Sequence, residues 1–144
     1  INDDVWLAIE IGADGAHLGR DDIPGGGLVT ARNALGSKRI LGVSCYDDPA
    51  IAEAAVAAGA DYIAVGCVFA SATKPQAARA SLEALAAMKK RFKAPVVAIG
   101  GITVKNAPQV LATGADMVAV LSDLFDAMDI KSQAEKFQRL FKHP

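Results

Sequence analysis

The chain has 144 residues, 52% of them hydrophobic, with 15 basic against 16 acidic side chains. That length fits one domain with a large core, and disorder is excluded. No basic run exceeds Lys89-Lys90-Arg91 and no apolar stretch exceeds strand length, so neither nucleic-acid binding nor a membrane span is expected.

Val5–Ile11 is apolar-periodic and reads as a helix, followed by Gly12-Ala13-Asp14 and a strand over Gly15–Leu18. Gly25-Gly26-Gly27 reads as a flexible loop rather than a phosphate cradle. Ile40–Val43 reads as a strand. Asp48 is placed to cap the next helix, with Pro49 at its first position. That helix covers Ile51–Ala58 and meets a second Gly-Ala-Asp at Gly59, before a strand over Tyr62–Val65. An amphipathic helix lies between Ser81 and Phe92, and a strand over Val96–Ile99. Thr103 is read as the cap leading into a helix over Ala107–Thr113. A third Gly-Ala-Asp starts at Gly114 and leads into a strand over Met117–Leu121. Ser132–Phe141 reads as the last helix. Each glycine of the repeated tripeptide suits the left-handed position that ends a helix. Strands that are apolar throughout are those of a parallel sheet buried on both faces. Gly19, Gly66 and Gly100-Gly101 follow three strand ends, a pattern of tight loops on the C-terminal rim that favours a β/α barrel over a doubly wound sheet.

Oxygen donors gather at those strand ends. Ile1-Asn2-Asp3-Asp4 ends one strand, and His17-Leu18-Gly19-Arg20-Asp21-Asp22 carries the next one into an acidic pair. Asp3 and Asp22 then project from adjacent strand ends, a carboxylate pair suited to Mg²⁺. His17, within its strand, reads as a packed or hydrogen-bonded core residue. Ser44 follows Gly42-Val43 and offers a small hydroxyl. The loop after Gly66 carries Ser71, Thr73 and Lys74, and lysine is a common phosphate ligand. Gly100-Gly101-Ile102-Thr103 follows a strand and opens a helix, and Leu121-Ser122 ends the last strand. Two such segments in this order form the phosphate site of many barrels.

Taken in order, Ile1–Asp4, His17–Asp22, Gly42–Ser44, Thr73-Lys74, Ile99–Thr103 and Val120–Ser122 resemble the thiamine phosphate synthase family over essentially the whole chain. The resemblance implies an α/β fold, a TIM (β/α)8 barrel lacking here the first two β/α units and most of the third strand. It implies a Mg²⁺-dependent transferase. Hydroxymethylpyrimidine diphosphate would condense with a thiazole phosphate to give thiamine phosphate and pyrophosphate. By carry-over, Asp3 and Asp22 hold Mg²⁺. Lys74 and Ser44 are the catalytic residues. Substrate is bound by Asn2, Ser44, Ser71, Thr73, Lys74, Gly101, Leu121 and Ser122.

The chain departs from the family pattern in four ways. Nothing matches the Gln/Arg/Lys motif of the family's second strand. Arg20 stands where Gln is common, and Ala70-Ser71 replaces Pro-Thr. Cys45-Tyr46-Asp47 stands where a small residue and then His are common. The related thiazole tautomerase needs a rim base, which that last segment does not supply. A non-catalytic phosphate-ester-binding fragment is the other alternative. The resemblance and the composition together imply a cytoplasmic protein with small phosphate substrates and reduced thiols. An opened barrel would expose two sheet edges, which favours a homodimer covering the open side.

Overall fold

The structure is a computed structural model, described here for residues 1–71, 76 and 79–142. In chain order it comprises α1 (Val5–Glu10), β1 (Gly15–Leu18), a 3-10 turn (Arg20–Asp22), α2 (Gly27–Leu35), β2 (Ile40–Tyr46), α3 (Pro49–Ala57) and β3 (Tyr62–Val65). These are followed by α4 (Leu82–Arg91), β4 (Val96–Ile99), α5 (Ala107–Leu111), β5 (Met117–Ala119), α6 (Ser122–Phe125) and α7 (Ile130–Lys142). The strands form one parallel sheet in the order β1-β2-β3-β4-β5. Asn2 adds a parallel bridge to His17 beyond β1. Consecutive parallel neighbours joined by right-handed crossovers put every connecting helix on one face. That is the winding of a barrel arc, since a doubly wound sheet must reverse its order.

Alternation along the strands assigns the two faces. Leu41, Val43 and Cys45 of β2, Ile63 and Val65 of β3, and Val96 and Ala98 of β4 pack under the helices and are buried. The concave face carries the alternate set, which includes His17, Gly42, Ser44, Tyr62 and Val97. Ile40 and Met117 lie on this inner face and are 48% and 39% exposed, so the arc does not close over its own interior.

The helix ends follow the local chemistry. Asp48 accepts from the Ala50 amide with Pro49 at the first helical position. Ser81 caps α4 through the Ala84 amide. Gly12, Gly59 and Gly114 take left-handed φ values of 69°, 87° and 85°, as the repeated tripeptide predicts. The aspartates of the second and third copies then reach back to the preceding strand. Asp61 Oδ2 accepts from the Leu41 amide at 2.7 Å, and Asp116 Oδ2 accepts from the Val96 amide at 2.7 Å. Arg32 of α2 and Lys89 of α4 brace those two carboxylates.

Four expectations are corrected. Gly27 is the first residue of α2, so the glycine run is a turn and a helix start rather than only a loop. β2 runs on to Tyr46, because the β2–β3 ladder continues past Ser44 through a register shift; Ser44 lies inside the strand. β5 stops at Ala119, where its pairing with Ile99 ends. Thr103 Oγ1 does accept from the Asn106 amide at 3.3 Å, but it closes only a turn, and α5 begins at Ala107.

Candidate functional site

Asn2 and Asp3 stand at the bridge beside β1, Asp22 in the turn after β1, and Ser44 within β2. Asn2 is bridged to His17 across the sheet edge, with the Asp3 amide donating to the His17 carbonyl at 2.8 Å. This pairing sets Asp3 directly after the bridge with φ +70°, a left-handed backbone that is uncommon outside glycine and most tolerated by Asn and Asp. Asp22 closes the turn after β1, where its Oδ2 accepts from the Gly19 amide at 3.0 Å. Asp3 is exposed and Asp22 half-buried. Arg20 leaves that turn over the Tyr46 ring, 5.0 Å from its centroid.

Beside these, three strands contribute to one polar group on the concave face. His17 Nε2 lies 2.8 Å from Ser44 Oγ, and His17 Nδ1 lies 2.9 Å from the Tyr62 hydroxyl. The two rings stack at 5.6 Å. Gly42 makes room for this, because a Cβ there would sit 2.0 Å from the Tyr62 ring. His17 is thus the hydrogen-bonded residue expected of it, and it holds Ser44. Burial pushes the Tyr62 phenol above its ordinary pKa, so it stays a neutral hydroxyl at pH 7.

The second half of the rim is built from Gly100 to Val104. Gly101 adopts φ +60°, and a Cβ on it would meet the Ala70 carbonyl oxygen at 2.2 Å. Close packing of this turn on the loop after β3 therefore demands glycine here whether or not an anion approaches. Asn106 clamps the turn: its Oδ1 accepts from the Thr103 amide at 2.7 Å and its Nδ2 donates to the Gly101 carbonyl at 3.0 Å. Asp123 ties it to α7, accepting from the Val104 amide at 3.0 Å and from Gln133 Nε2 at 2.8 Å. Leu121 and Ser122 are exposed at the start of α6, and Ser71 is half-buried. Thr73 and Lys74 lie outside the described residues.

Asn106, Asp123, His17 and Tyr62 were not singled out from the sequence as parts of the site. Asn106 alone had a readable signal, three residues after Thr103 in a turn-forming pair. His17 and Tyr62 are brought together by strand register and Asp123 by the packing of α6 and α7 on the Gly101 turn, which no local pattern reports.

The donor set fits a Mg²⁺ ion bound in the usual way. Among the described residues no group of three or more His, Cys, Asp or Glu side chains is arranged to hold a metal. Mg²⁺ does not need one. It commonly takes one or two carboxylates and completes its octahedron with water and substrate phosphate oxygens. Asp3 and Asp22 supply hard oxygen donors of that kind on neighbouring strand ends.

An open cleft of about 290 Å³ lies on the concave face, lined by Ile1, Gly15, His17, Ile40 and Tyr62 among others. It takes in Asn2, His17 and Tyr62 and so adjoins the polar group, with the rest of its lining in the open interior of the arc. No helix among the described residues is long and apolar enough to cross a membrane.

The comparisons with known proteins converge. The family model described as thiamine monophosphate synthase matches residues 1–124. A thiamine-phosphate synthase of Aromatoleum aromaticum is 52% identical over 98% of this chain and 66% of its own length. One from an Azoarcus species is 51% identical over 98% of this chain and 67% of its own. The chain thus spans about two thirds of these curated relatives. The solved structure of a thiamine phosphate pyrophosphorylase from Pyrococcus furiosus superimposes with a TM-score of 0.83 at 34% identity, covering 98% of this chain and 65% of that one. The family match over most of the chain and the agreement in fold lead to one conclusion: the chain belongs to the thiamine monophosphate synthase family.

Proposed function

We propose that the whole protein is a thiamine phosphate synthase and that this chain carries most of its catalytic rim. In the reaction, the C–O bond between the pyrimidine methylene and the diphosphate breaks, and pyrophosphate leaves with the electron pair. The thiazole nitrogen lone pair then forms the new C–N bond. No proton has to move in that exchange. The protein's task is to position two phosphorylated substrates and to stabilise the charge on the leaving group.

The observation that carries this reading is the grouping of Asn2, His17 and Ser44 on three adjacent strands, Asn2 bridged to His17 and His17 hydrogen-bonded to Ser44, with Asp3 and Asp22 just beyond the ends of the first two. Asp3 and Asp22 would hold Mg²⁺, which when bound neutralises diphosphate charge. Asn2 and Ser44 would donate to the diphosphate. Ser71, Thr73 and Lys74 would lie along the leaving pyrophosphate, with Lys74 supplying a fixed positive charge. Gly101, Leu121 and Ser122 would receive the thiazole phosphate, and Asn106 and Asp123 would keep that turn rigid. The tautomerase alternative needs a mobile base at the rim. The imidazole of His17 is instead engaged through both ring nitrogens by hydroxyls of the neighbouring strands.

On this reading the bridging segment at Asn2 and the five strands belong to the last six strands of an eight-stranded barrel, and the first two β/α units lie outside the chain. The 66% span of the Aromatoleum relative and the exposed inner-face residues Ile40 and Met117 support it. Taken alone, the 144-residue stretch would then bind phosphate esters, with turnover left to the whole protein or to a homodimer. The two free thiols suit a cytoplasmic setting.

The test is pyrophosphate release from the two substrates with Mg²⁺, measured for the whole protein and for the 144-residue chain. Release coupled to thiamine phosphate formation by the whole protein is expected, with Asp3→Asn and Asp22→Asn each losing 100-fold or more on the order typical of electrostatic catalytic groups. Unchanged Mg²⁺-dependent pyrophosphate binding by both variants in calorimetry would remove the metal assignment.

A further inference from the structure

The Tyr62–His17–Ser44 chain of hydrogen bonds has a direction. A neutral imidazole has one N–H donor and one bare nitrogen acceptor. Two arrangements are therefore open. In one, His17 Nδ1–H donates to the Tyr62 oxygen and Ser44 donates to Nε2. In the other, Tyr62 donates to Nδ1 and Nε2–H donates to Ser44 Oγ.

The donors and acceptors differ in strength, and this decides between them. A phenol is more acidic than an aliphatic alcohol, so Tyr62 is the better donor of the two hydroxyls. Its oxygen lone pair is delocalised into the ring, so it is the poorer acceptor. The aliphatic Ser44 oxygen is the better acceptor. Strong donor meeting strong acceptor at both ends requires Tyr62 O–H to Nδ1, 2.9 Å, and Nε2–H to Ser44 Oγ, 2.8 Å. Chains of hydrogen bonds running in one direction also polarise one another. The ring stack and the space left by Gly42 hold Tyr62 in the position this needs.

We propose that His17 is a positioning residue, held by Tyr62 as its Nε2–H tautomer, that occupies the Ser44 oxygen and turns the Ser44 hydroxyl proton out toward the ligand. Phosphate and pyrophosphate oxygens at neutral pH are mainly acceptors. A serine whose proton was spent on the imidazole would offer them only lone pairs. With His17 donating, Ser44 becomes an obligate donor without any change of backbone. The inference deepens the function proposed above, and it rests on that reading only for the identity of the ligand.

Two measurements test it. The first reads the tautomer by ¹⁵N–¹H correlation of the imidazole in the ligand-free protein, with His143→Gln removing the other histidine signal. An Nε2-protonated ring is expected. Tyr62→Phe, which keeps the ring and the fold, should move the tautomer populations measurably. A ring protonated at Nδ1, or one indifferent to Tyr62→Phe, overturns the proposal, whatever the protein binds.

The second measurement is a double-mutant cycle on the affinity for inorganic pyrophosphate with Mg²⁺, in the whole protein. His17→Asn keeps an amide near the Nδ1 position and loses the reach to Ser44. His17→Gln can present an amide N–H near the Nε2 position. His17→Asn should weaken binding by about as much as Ser44→Ala, roughly tenfold for one charge-assisted hydrogen bond. In the Ser44→Ala background it should have no further effect, and His17→Gln should recover most of the loss. Multiplicative losses, or equal losses in the Asn and Gln variants, would mean that His17 only fills space. Pyrophosphate that fails to bind the wild-type protein would refute the functional reading of Ser44, while the tautomer measurement would still decide the role of His17.

Discussion

Asp61 Oδ2 accepts the Leu41 amide at 2.7 Å, joining the turn before β3 to the beginning of β2. Asp116 repeats the relationship one β/α unit pair later, with the Val96 amide at the beginning of β4. In its second and third copies Gly-Ala-Asp is therefore a strand-registering clasp. The glycine ends the helix, and the aspartate locks the incoming strand to its neighbour.

Asp61→Ala and Asp116→Ala should each destabilise the protein by about 1–3 kcal/mol, the cost of leaving a buried backbone amide unpaired. Leu41 and Val96 are both fully buried, but solvent reaches the carboxylates that bind their amides, so the loss falls toward the lower end of that range. The accompanying ion pairs to Arg32 and Lys89 add little, because both carboxylates are substantially exposed. Urea unfolding followed by circular dichroism measures this. Losses below about 0.5 kcal/mol, the usual range for surface substitutions, would deny the clasp.

The Asp116 clasp should also be acid-sensitive. Burial opposes its ionisation, but hydrogen bonds from Lys89 and from the Val96 amide outweigh that and hold its carboxyl below the ordinary aspartate value. A lowered folded pKa contributes stability that is present above the unfolded value and is lost as the pH falls through the folded one. The wild-type protein should therefore lose stability below the ordinary aspartate range. Asp116→Asn should lose less over the same interval. Parallel stability–pH curves for the two proteins would contradict this.

Gly42→Ala should disrupt the polar group on the concave face. The new methyl would fall 2.0 Å from the Tyr62 ring, so the ring must swing away from His17. Overpacking of this kind costs about 1–3 kcal/mol. The diagnostic result is that Gly42→Ala combined with Tyr62→Ala is more stable than Gly42→Ala alone, which a pure backbone effect at Gly42 would not produce.

Cys45 should be unreactive in the native protein. It is fully buried under the helices. Burial first, and then the nearby Asp48 charge, push its thiol up to about 12. At pH 8 it is protonated, and the thiolate is the nucleophile. Alkylation of Cys45, followed by mass spectrometry, should track unfolding; rapid labelling of the folded protein at pH 8 would be the contrary result.

The open inner face predicts association. Ile40 and Met117 present apolar surface there, and β5 is an unpaired edge among the described residues. Exposed edges recruit other strands. Light scattering on the 144-residue chain should give a dimer, and charged substitutions such as Met117→Lys should shift it to monomer. A wild-type monomer over the micromolar range would dismiss the idea.

Much of the architecture was legible in the sequence because its signals are local. Three Gly-Ala-Asp turns, the Asp48-Pro49 helix start and the apolar runs at Gly15, Tyr62 and Val96 each specify an element through steric and capping rules that act within a few residues. The positions of Asn2-Asp3 and Asp22 beside strand ends were legible too, whereas Ser44 lies within β2. Tertiary structure alone decided the rest. The length of β2 depends on a ladder with β3 that continues past Ser44. The requirement for glycine at Gly101 comes from the carbonyl of Ala70, on a different loop. The joining of His17 to Ser44 and Tyr62 depends on the register of three strands whose residues lie 27 and 45 positions away in the chain. Local sequence patterns carry period and propensity, but register is set only when the strands pair, and it is register that brings this group together.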